Sequence, residues 1–241
     1  VIQATTPEIT PLAMKLLALE TSGKTGSVAL LEGDDERAVL SAEIRLPEEI
    51  RSAQSLIPAI KHVLAEQDWI PAELGLICVA TGPGSFTGLR VGVTAAKTLA
   101  YALRTPLVSV NTLAALAAGV EEPYQRLWCV LDAQRRELFT AHFQSRDSLA
   151  GQAEATADLL TTDAFLERLV PDDWVCGQPI EKLQGRLPEG VTTCESAQNT
   201  PQAAAVGMLG YELFLEQRTV DPLQLVPSYG RRSAAEEKAD S

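Results

Sequence analysis

Residues 16–33 read LLALETSGKTGSVALLEG, two apolar runs joined by a polar, glycine-containing segment. Two folds compete for this stretch. A phosphate-binding P-loop reads Gly, four residues, then Gly-Lys-Ser/Thr, and Gly23-Lys24-Thr25 supplies the end of that pattern. The early glycine would have to stand at Ala18, inside an apolar run. A P-loop must also open a helix, because the phosphate rests on the free amides of a helix N-terminus. The residues after Gly26 are instead Ser27-Val28-Ala29-Leu30-Leu31, short and apolar, which read as a second strand. Leu16–Glu20 and Ser27–Glu32 are therefore expected to form a hairpin, with Ser22–Gly26 as its loop. Thr21, Ser22, Lys24 and the loop's free amides could still touch phosphate in another way.

Outward from the hairpin, periodicity gives the rest of the plan. Ala38–Arg45 reads as a third strand. Ser52 can cap a helix running to about Gln67, with Leu56, Ile57, Ile60, Val63 and Leu64 on one face. Leu74–Ala80 is a buried strand, Thr87–Leu103 a helix, Pro106–Val110 a strand, and Thr112–Ala118 a short helix stopped by Gly119. Strands alternating with helices imply an α/β fold with its sheet covered. After a polar linker at Glu121–Gln125, Arg126–Leu131 and Leu138–Phe143 read as strands around the charged turn Gln134–Glu137. Thr161–Val170 is helix-like, Trp174–Cys176 and Val191–Cys194 are short strands, and Pro201–Glu216 is a long helix burying Val206, Leu209, Leu213 and Phe214. Both halves open on an apolar strand that ends in an acid, LLALE to Glu20 and WCVLD to Asp132, so an internal duplication is expected. The expected organisation is a disordered extension over 1–13, a first lobe over 14–119, a reduced second lobe over 120–232 and a disordered tail over 233–241.

The bulk numbers narrow the function. The chain has 241 residues, 46% of them apolar, enough for a substantial core. Its 32 acidic against 20 basic residues leave a net charge of −12. That argues against this chain alone gripping a nucleic acid, which needs Lys and Arg to neutralise phosphates. Cys78, Cys129, Cys176 and Cys194 make no Cys-x-x-Cys pair, and His62 and His142 have no partner at metal-ligand spacing. The expectations are a reduced, cytoplasmic setting, no metal and no membrane span; Val1–Ala13 shows no signal-peptide pattern.

The segment with most chemistry in it is ATGPGSFTGLRVGVTAAKTLA, Ala80–Ala100. A buried strand runs into Gly82-Pro83-Gly84-Ser85, and a helix starts near Thr87. Glycines let backbone approach a ligand closely, and a helix start offers unpaired amides to an anion. The segment reads equally as a phosphate edge or as a tight strand-to-helix turn capped by Ser85 or Thr87. Within the helix, Gly88, Gly92, Ala96 and Ala100 recur every fourth residue and make a stripe of small side chains. Glycine inside a helix costs about 1 kcal/mol relative to alanine, so the stripe needs a close neighbour. That neighbour is either the protein's own sheet or a helix of another chain. Arg90 sits near the helix N-terminus, where a cation is unfavourable, and either pairs with an acid or reaches a partner.

GPGSFTGLRVGVTAAKTLA, with LLALETSGKTGSVAL before it and VSVNTLAALA after it, resembles the TsaB (YeaZ) family of bacterial proteins. VLDAQRRELFTAHF is similar to that family's Asp-Ala-Arg-x-x-Glu-Val-Tyr segment, and VPSYGRR to its C-terminal Pro-x-Tyr-x-Arg. The resemblance covers most of Met14–Arg232 and is weakest over Ser145–Thr200. It implies the actin/Hsp70/sugar-kinase fold, an α/β architecture of two ribonuclease-H-like lobes of βββαβαβα type. It implies a part in making threonylcarbamoyladenosine on tRNA, as a non-catalytic scaffold that pairs with the catalytic relative TsaD. The TsaE ATPase is then expected to join, homodimers to form when TsaD is absent, and tRNA to be met only through the complex. The family pairs through helices of its first lobe, which makes Gly88, Arg90, Gly92, Ala96 and Ala100 the candidate partner-binding set.

The departures fit a chain without catalysis. TsaD-like enzymes carry a His-x-x-x-His metal pair in the first long helix, where this chain has Ser52 and Leu56. Glu20 replaces the Asp that usually ends the first strand, and Gln134 stands where the family has Arg. The competing expectation is a nucleotide-dependent enzyme of the same fold, an ATPase or small-molecule kinase. Its phosphate-facing set would be Glu20, Thr21, Ser22, Gly82, Gly84, Ser85 and Asp132, with the two acids on Mg²⁺. Under the scaffold reading the chain has no cofactor of its own, and ATP or ADP belongs at the interface of the complex. A protease reading has no support: His-Glu-x-x-His and Gly-x-Ser-x-Gly are both missing.

Overall fold

The computed structural model describes residues 13–146, 149–152 and 157–230. The expected extension (but for residue 13) and the expected tail lie outside these residues.

The hairpin of residues 16–33 forms as β1 (Met14–Glu20) and β2 (Ser27–Gly33), antiparallel, with Glu20 opposite Ser27. β3 (Ala38–Arg45) adds to β2, and β4 (Leu74–Gly82) and β5 (Leu107–Asn111) add in parallel on the other side, in the order β3-β2-β1-β4-β5. β1 and β4 are buried on both faces, which is why they read as continuous apolar runs. One face is covered by α1 (Ser52–Glu66) and α2 (Phe86–Leu103), over a core of Leu17, Leu19, Leu56, Val63, Ile77 and Val93. Ser52 is the first helical residue of α1 rather than its cap, and the flanking Arg51 gives no side-chain cap. At α2 the cap is Ser85, whose hydroxyl accepts from the Gly88 amide at 3.2 Å.

The second sheet repeats the first. β6 (Leu127–Asp132), β7 (Glu137–Phe143) and β8 (Asp158–Thr161) form an antiparallel meander, and β9 (Trp174–Cys176) and β10 (Thr192–Thr193) add in parallel beside β6. The order β10-β9-β6-β7-β8 is the order of the first sheet with every strand five positions on. The expected duplication is therefore present in topology and pairing direction. β8 is absent from the sequence-based plan, because Asp-Leu-Leu-Thr is too short and too polar to read as a strand. Among the described residues, the α-helices beside this sheet are α5 (Thr162–Arg168) and the four-residue α6 (Ile180–Leu183). α3 (Thr112–Ala118), capped by Asn111, and α4 (Leu149–Gln152) lie against the remaining long helix, α7 (Ala203–Leu215).

Chain order would put α7 in the second lobe, and the structure corrects this. α7 packs on β1, β2 and β4 of the first sheet, on the face opposite α1 and α2. Gly207 and Gly210 make the approach close enough: a Cβ at Gly207 would lie 2.3 Å from Leu31, and one at Gly210 2.5 Å from the Cys78 sulfur. Residues 220–230 then run back over the first lobe as a strap, with a turn over Asp221–Gln224. Val220 N–H donates to the Leu107 carbonyl, Lys97 Nζ to the Leu225 carbonyl at 2.7 Å, and Ser228 N–H to the Thr81 carbonyl at 2.7 Å. No helix among the described residues is long and apolar enough to cross a membrane.

Candidate functional site

The β1–β2 loop and the β4–α2 loop meet at the top of the first sheet. Both sit at carboxyl ends of parallel neighbours, where open α/β sheets place ligands. The structure brings Glu20, Thr21, Ser22, Gly82, Gly84 and Ser85 together there, and each is engaged by the chain itself. Ser85 N–H donates to the Ser22 carbonyl at 2.7 Å. Thr21 Oγ1 donates to the Gly88 carbonyl at 2.8 Å. Both the amide and the hydroxyl of Ser22 donate to Glu20 Oε1. The space a side chain would need at Gly84 is held by the Ser22 backbone, and that at Gly82 by the Ser228 carbonyl of the strap. Gly82 and Gly84 have φ of 122° and 153°, so the turn uses glycine for its backbone as well as for its space.

Glu20 is fully buried, and Oε2 has no partner among the described residues. Burial pushes its carboxyl up to about 7, against the hydrogen bonds from Ser22, with Glu43 on β3 raising it further. Asp132 ends β6 as Glu20 ends β1, but it turns onto its own hairpin and accepts from the Gln134 amide at 2.7 Å. Among the described residues, no group of three or more His, Cys, Asp or Glu is arranged to hold a metal ion.

The small-residue stripe is an internal surface, which corrects its assignment to a partner. Gly88, Gly92, Ala96 and Ala100 are all buried. A Cβ on Gly88 would fall 1.9 Å from the Thr21 carbonyl oxygen, and one on Gly92 2.2 Å from Thr21 Oγ1. The glycines exist so that β1 and its loop can lie against α2. Arg90 behaves otherwise. Arg90, Thr94 and Thr98 lie about 200° round the helix from the glycine row and are exposed. Between them and α1 runs an open groove of about 490 Å³, floored by Leu56 and Ile57 of α1 and Val91, Ala95 and Leu99 of α2. Ile57 is 44% exposed, large for an aliphatic side chain of a packed helix. Periodicity alone puts Leu56 and Ile57 together on the core face and misses the groove; the signal for it is that α2 carries apolar residues beyond its glycine row.

The strap is a second site element that sequence reasoning missed. Its Tyr229 stacks on Phe86 with ring centroids 4.3 Å apart and accepts a 2.9 Å hydrogen bond from Arg90 Nε. Arg90 lies 4.1 Å above the Phe86 ring. Gly230 brings the strap's end against Phe139 of the second lobe and Pro83.

A repeated β3-β2-β1-β4-β5 sheet with helices on its faces, and loops meeting at strand ends, defines a two-lobed ribonuclease-H-like protein of the actin/Hsp70/sugar-kinase class. Comparison with known proteins narrows the class. A family model described as "TsaD: tRNA N6-adenosine threonylcarbamoyltransferase" matches residues 46–169. The tRNA threonylcarbamoyladenosine biosynthesis protein TsaB of Bacillus subtilis is 31% identical over 236 residues, covering 93% of this chain and 97% of that protein. TsaB of Escherichia coli is 26% identical over 233 residues, covering 93% and 98%. The solved structure of YeaZ from Pseudomonas aeruginosa superimposes with a TM-score of 0.71 at 26% identity, covering 90% of this chain and 99% of that one. The chain belongs to the TsaB (YeaZ) family.

Proposed function

We propose that this chain is a scaffold and activating subunit for TsaD in forming threonylcarbamoyladenosine on tRNA, with no catalysis of its own. The observation that carries the pairing is the apolar groove between α1 and α2, open to solvent with Ile57 exposed on its floor. Both helices fall within the residues that match the TsaD family model. A partner built on the same lobe can offer the same two helices, so the faces meet about a pseudo-twofold axis and pack four helices together. A second copy of this chain can take the same place when TsaD is absent. TsaE joins the pair, tRNA is met through TsaD rather than through this acidic surface, and the setting is the cytoplasm. Any ATP or ADP is held at the interface of the complex.

The test is size exclusion with light scattering on the purified chain and the TsaD of the same organism, at micromolar concentration. The unmodified chain should give a heterodimer. Ile57→Glu sets a charge on the groove floor and should abolish it while leaving the melting temperature in place. No association of the unmodified chain, or full association of the variant, overturns the reading.

A second reading, a nucleotide-dependent enzyme, has one observation in its favour: the buried Glu20 Oε2 at the end of β1, without a partner among the described residues. Against it, the hydroxyls of Thr21 and Ser22 and the niches at Gly82 and Gly84 are taken up within the chain. Calorimetry of the isolated chain with ATP and Mg²⁺ separates the two: binding heat favours the enzyme.

A further inference from the structure

Arg90 lines the groove at the end nearest the α2 N-terminus, and its surroundings are unusual for an exposed arginine. Among the described residues it forms no ion pair, although the chain carries 32 acids against 20 bases. It is nonetheless held. Phe86 lies under the guanidinium at 4.1 Å, the Tyr229 ring centroid is 5.8 Å away, and the Tyr229 hydroxyl takes Nε at 2.9 Å. Tyr229 is itself fixed, because the strap is pinned by Ser228 on Thr81, by the buried Leu225 and by Lys97 on the Leu223 and Leu225 carbonyls.

This clamp uses one edge of the guanidinium and leaves the Nη1–Nη2 edge. That edge suits a carboxylate, which takes two parallel N–H···O bonds in one plane. A long side chain normally loses rotamer freedom on binding; one already fixed loses less. Among the described residues lining this apolar groove Arg90 is the one cation, and on an otherwise acidic protein it sets where an approaching acid can sit and penalises other registers. We propose that Arg90 is the specificity anchor of the groove: clamped by Phe86 and by Tyr229 of the strap, it binds a carboxylate of the TsaD-type partner that packs between α1 and α2. Tyr229 is then a positioning residue, and the strap belongs to the docking apparatus although it lies outside the groove. The inference rests on the pairing reading above.

The experiment measures the dissociation constant of the full chain with full-length TsaD, over a range of salt, for the unmodified chain, Ile57→Glu, Arg90→Met, Arg90→Lys and Tyr229→Phe. Truncating one partner of a desolvated charge pair costs enough that Arg90→Met should weaken binding by about 30-fold or more and flatten its salt dependence. Arg90→Lys keeps the charge and the stem but loses the planar fork, so it should recover little. Tyr229→Phe removes one hydrogen bond to a charged group and should weaken binding about tenfold. In the Arg90→Met background it should change nothing, because its effect runs through Arg90. If Ile57→Glu abolishes pairing while Arg90→Met stays within about twofold of the unmodified chain, the anchor is overturned and the groove reading stands. If neither variant changes binding, or the unmodified chain does not bind, both are overturned. If Tyr229→Phe acts equally with and without Arg90, the clamp is overturned.

Discussion

Gly92→Ala separates an internal stripe from an intermolecular one. The new methyl would arrive 2.2 Å from Thr21 Oγ1 and 3.4 Å from Thr21 Cβ. The second distance is tolerable; the first forces the hydroxyl to turn. Thr21 is buried, so turning it breaks its bond to the Gly88 carbonyl and leaves a buried polar group unpaired, costing about 1–3 kcal/mol. Crowding a packed site costs about 1–3 kcal/mol more. Alanine's better helix propensity returns about 1 kcal/mol. The net expectation is a loss of about 3 kcal/mol, which for a chain of this size lowers the melting temperature by roughly 6–12 °C. Thermal melts followed by circular dichroism read this directly. Thr21→Ala supplies the control, because it removes the obstructing oxygen. In that background Gly92→Ala should cost less than about 1 kcal/mol. Gly88→Ala should be worse than Gly92→Ala and should not be rescued, since its obstacle, at 1.9 Å, is the Thr21 backbone carbonyl. A Gly92→Ala protein that melts with the parent yet no longer pairs with TsaD would refute the internal assignment.

Three other sites give equally direct outcomes. Glu20 has a folded-state pKa of about 7, above the ordinary 4.5, so its contribution to stability is full below pH 4.5 and is lost as pH rises through 7. Glu20→Gln should therefore raise stability at pH 8, by at most about 3 kcal/mol, and should not do so at pH 4.5; urea titrations at the two pH values check this, and an equal effect at both would remove burial as the cause. Asp173 is buried and accepts from Arg126 Nη2 at 2.8 Å, Trp128 Nε1 at 3.2 Å and Val170 N–H at 3.0 Å. Asp173→Ala strands these donors and should cost about 3–5 kcal/mol, read by Trp fluorescence during denaturation. Gly210→Val pushes a branched side chain into Cys78 under α7, and should destabilise the chain by about 2 kcal/mol or more as overpacking does, or α7 does not pack on the first sheet as described.

Much of this molecule is written in short-range pattern. β3, α3 and β9 fall on the residues their periodicity marks, and the hairpin of residues 16–33 follows from the apolar strand after Gly26. The paired acids at the ends of LLALE and WCVLD announce a duplication that the two sheets repeat strand for strand. Sequence places Glu20, Thr21, Ser22, Gly82, Gly84 and Ser85 in two candidate loops, but does not say that the loops bond to each other. Such signals survive in sequence because strand alternation, helix period and capping act between residues a few positions apart. The identity of distant neighbours stays open at that level. A row of glycines requires a close companion without naming it, and folding supplied Thr21, 67 positions from Gly88. An almost wholly apolar helix must be buried, but its sequence does not say that α7 will lie on β1, β2 and β4, at the other end of the chain. Nothing near Arg90 in sequence says that Tyr229, 139 residues away, will hold its guanidinium. Those choices rest on which surfaces fit together once every element exists, and complementarity of surfaces is a property of the folded chain rather than of any window along it.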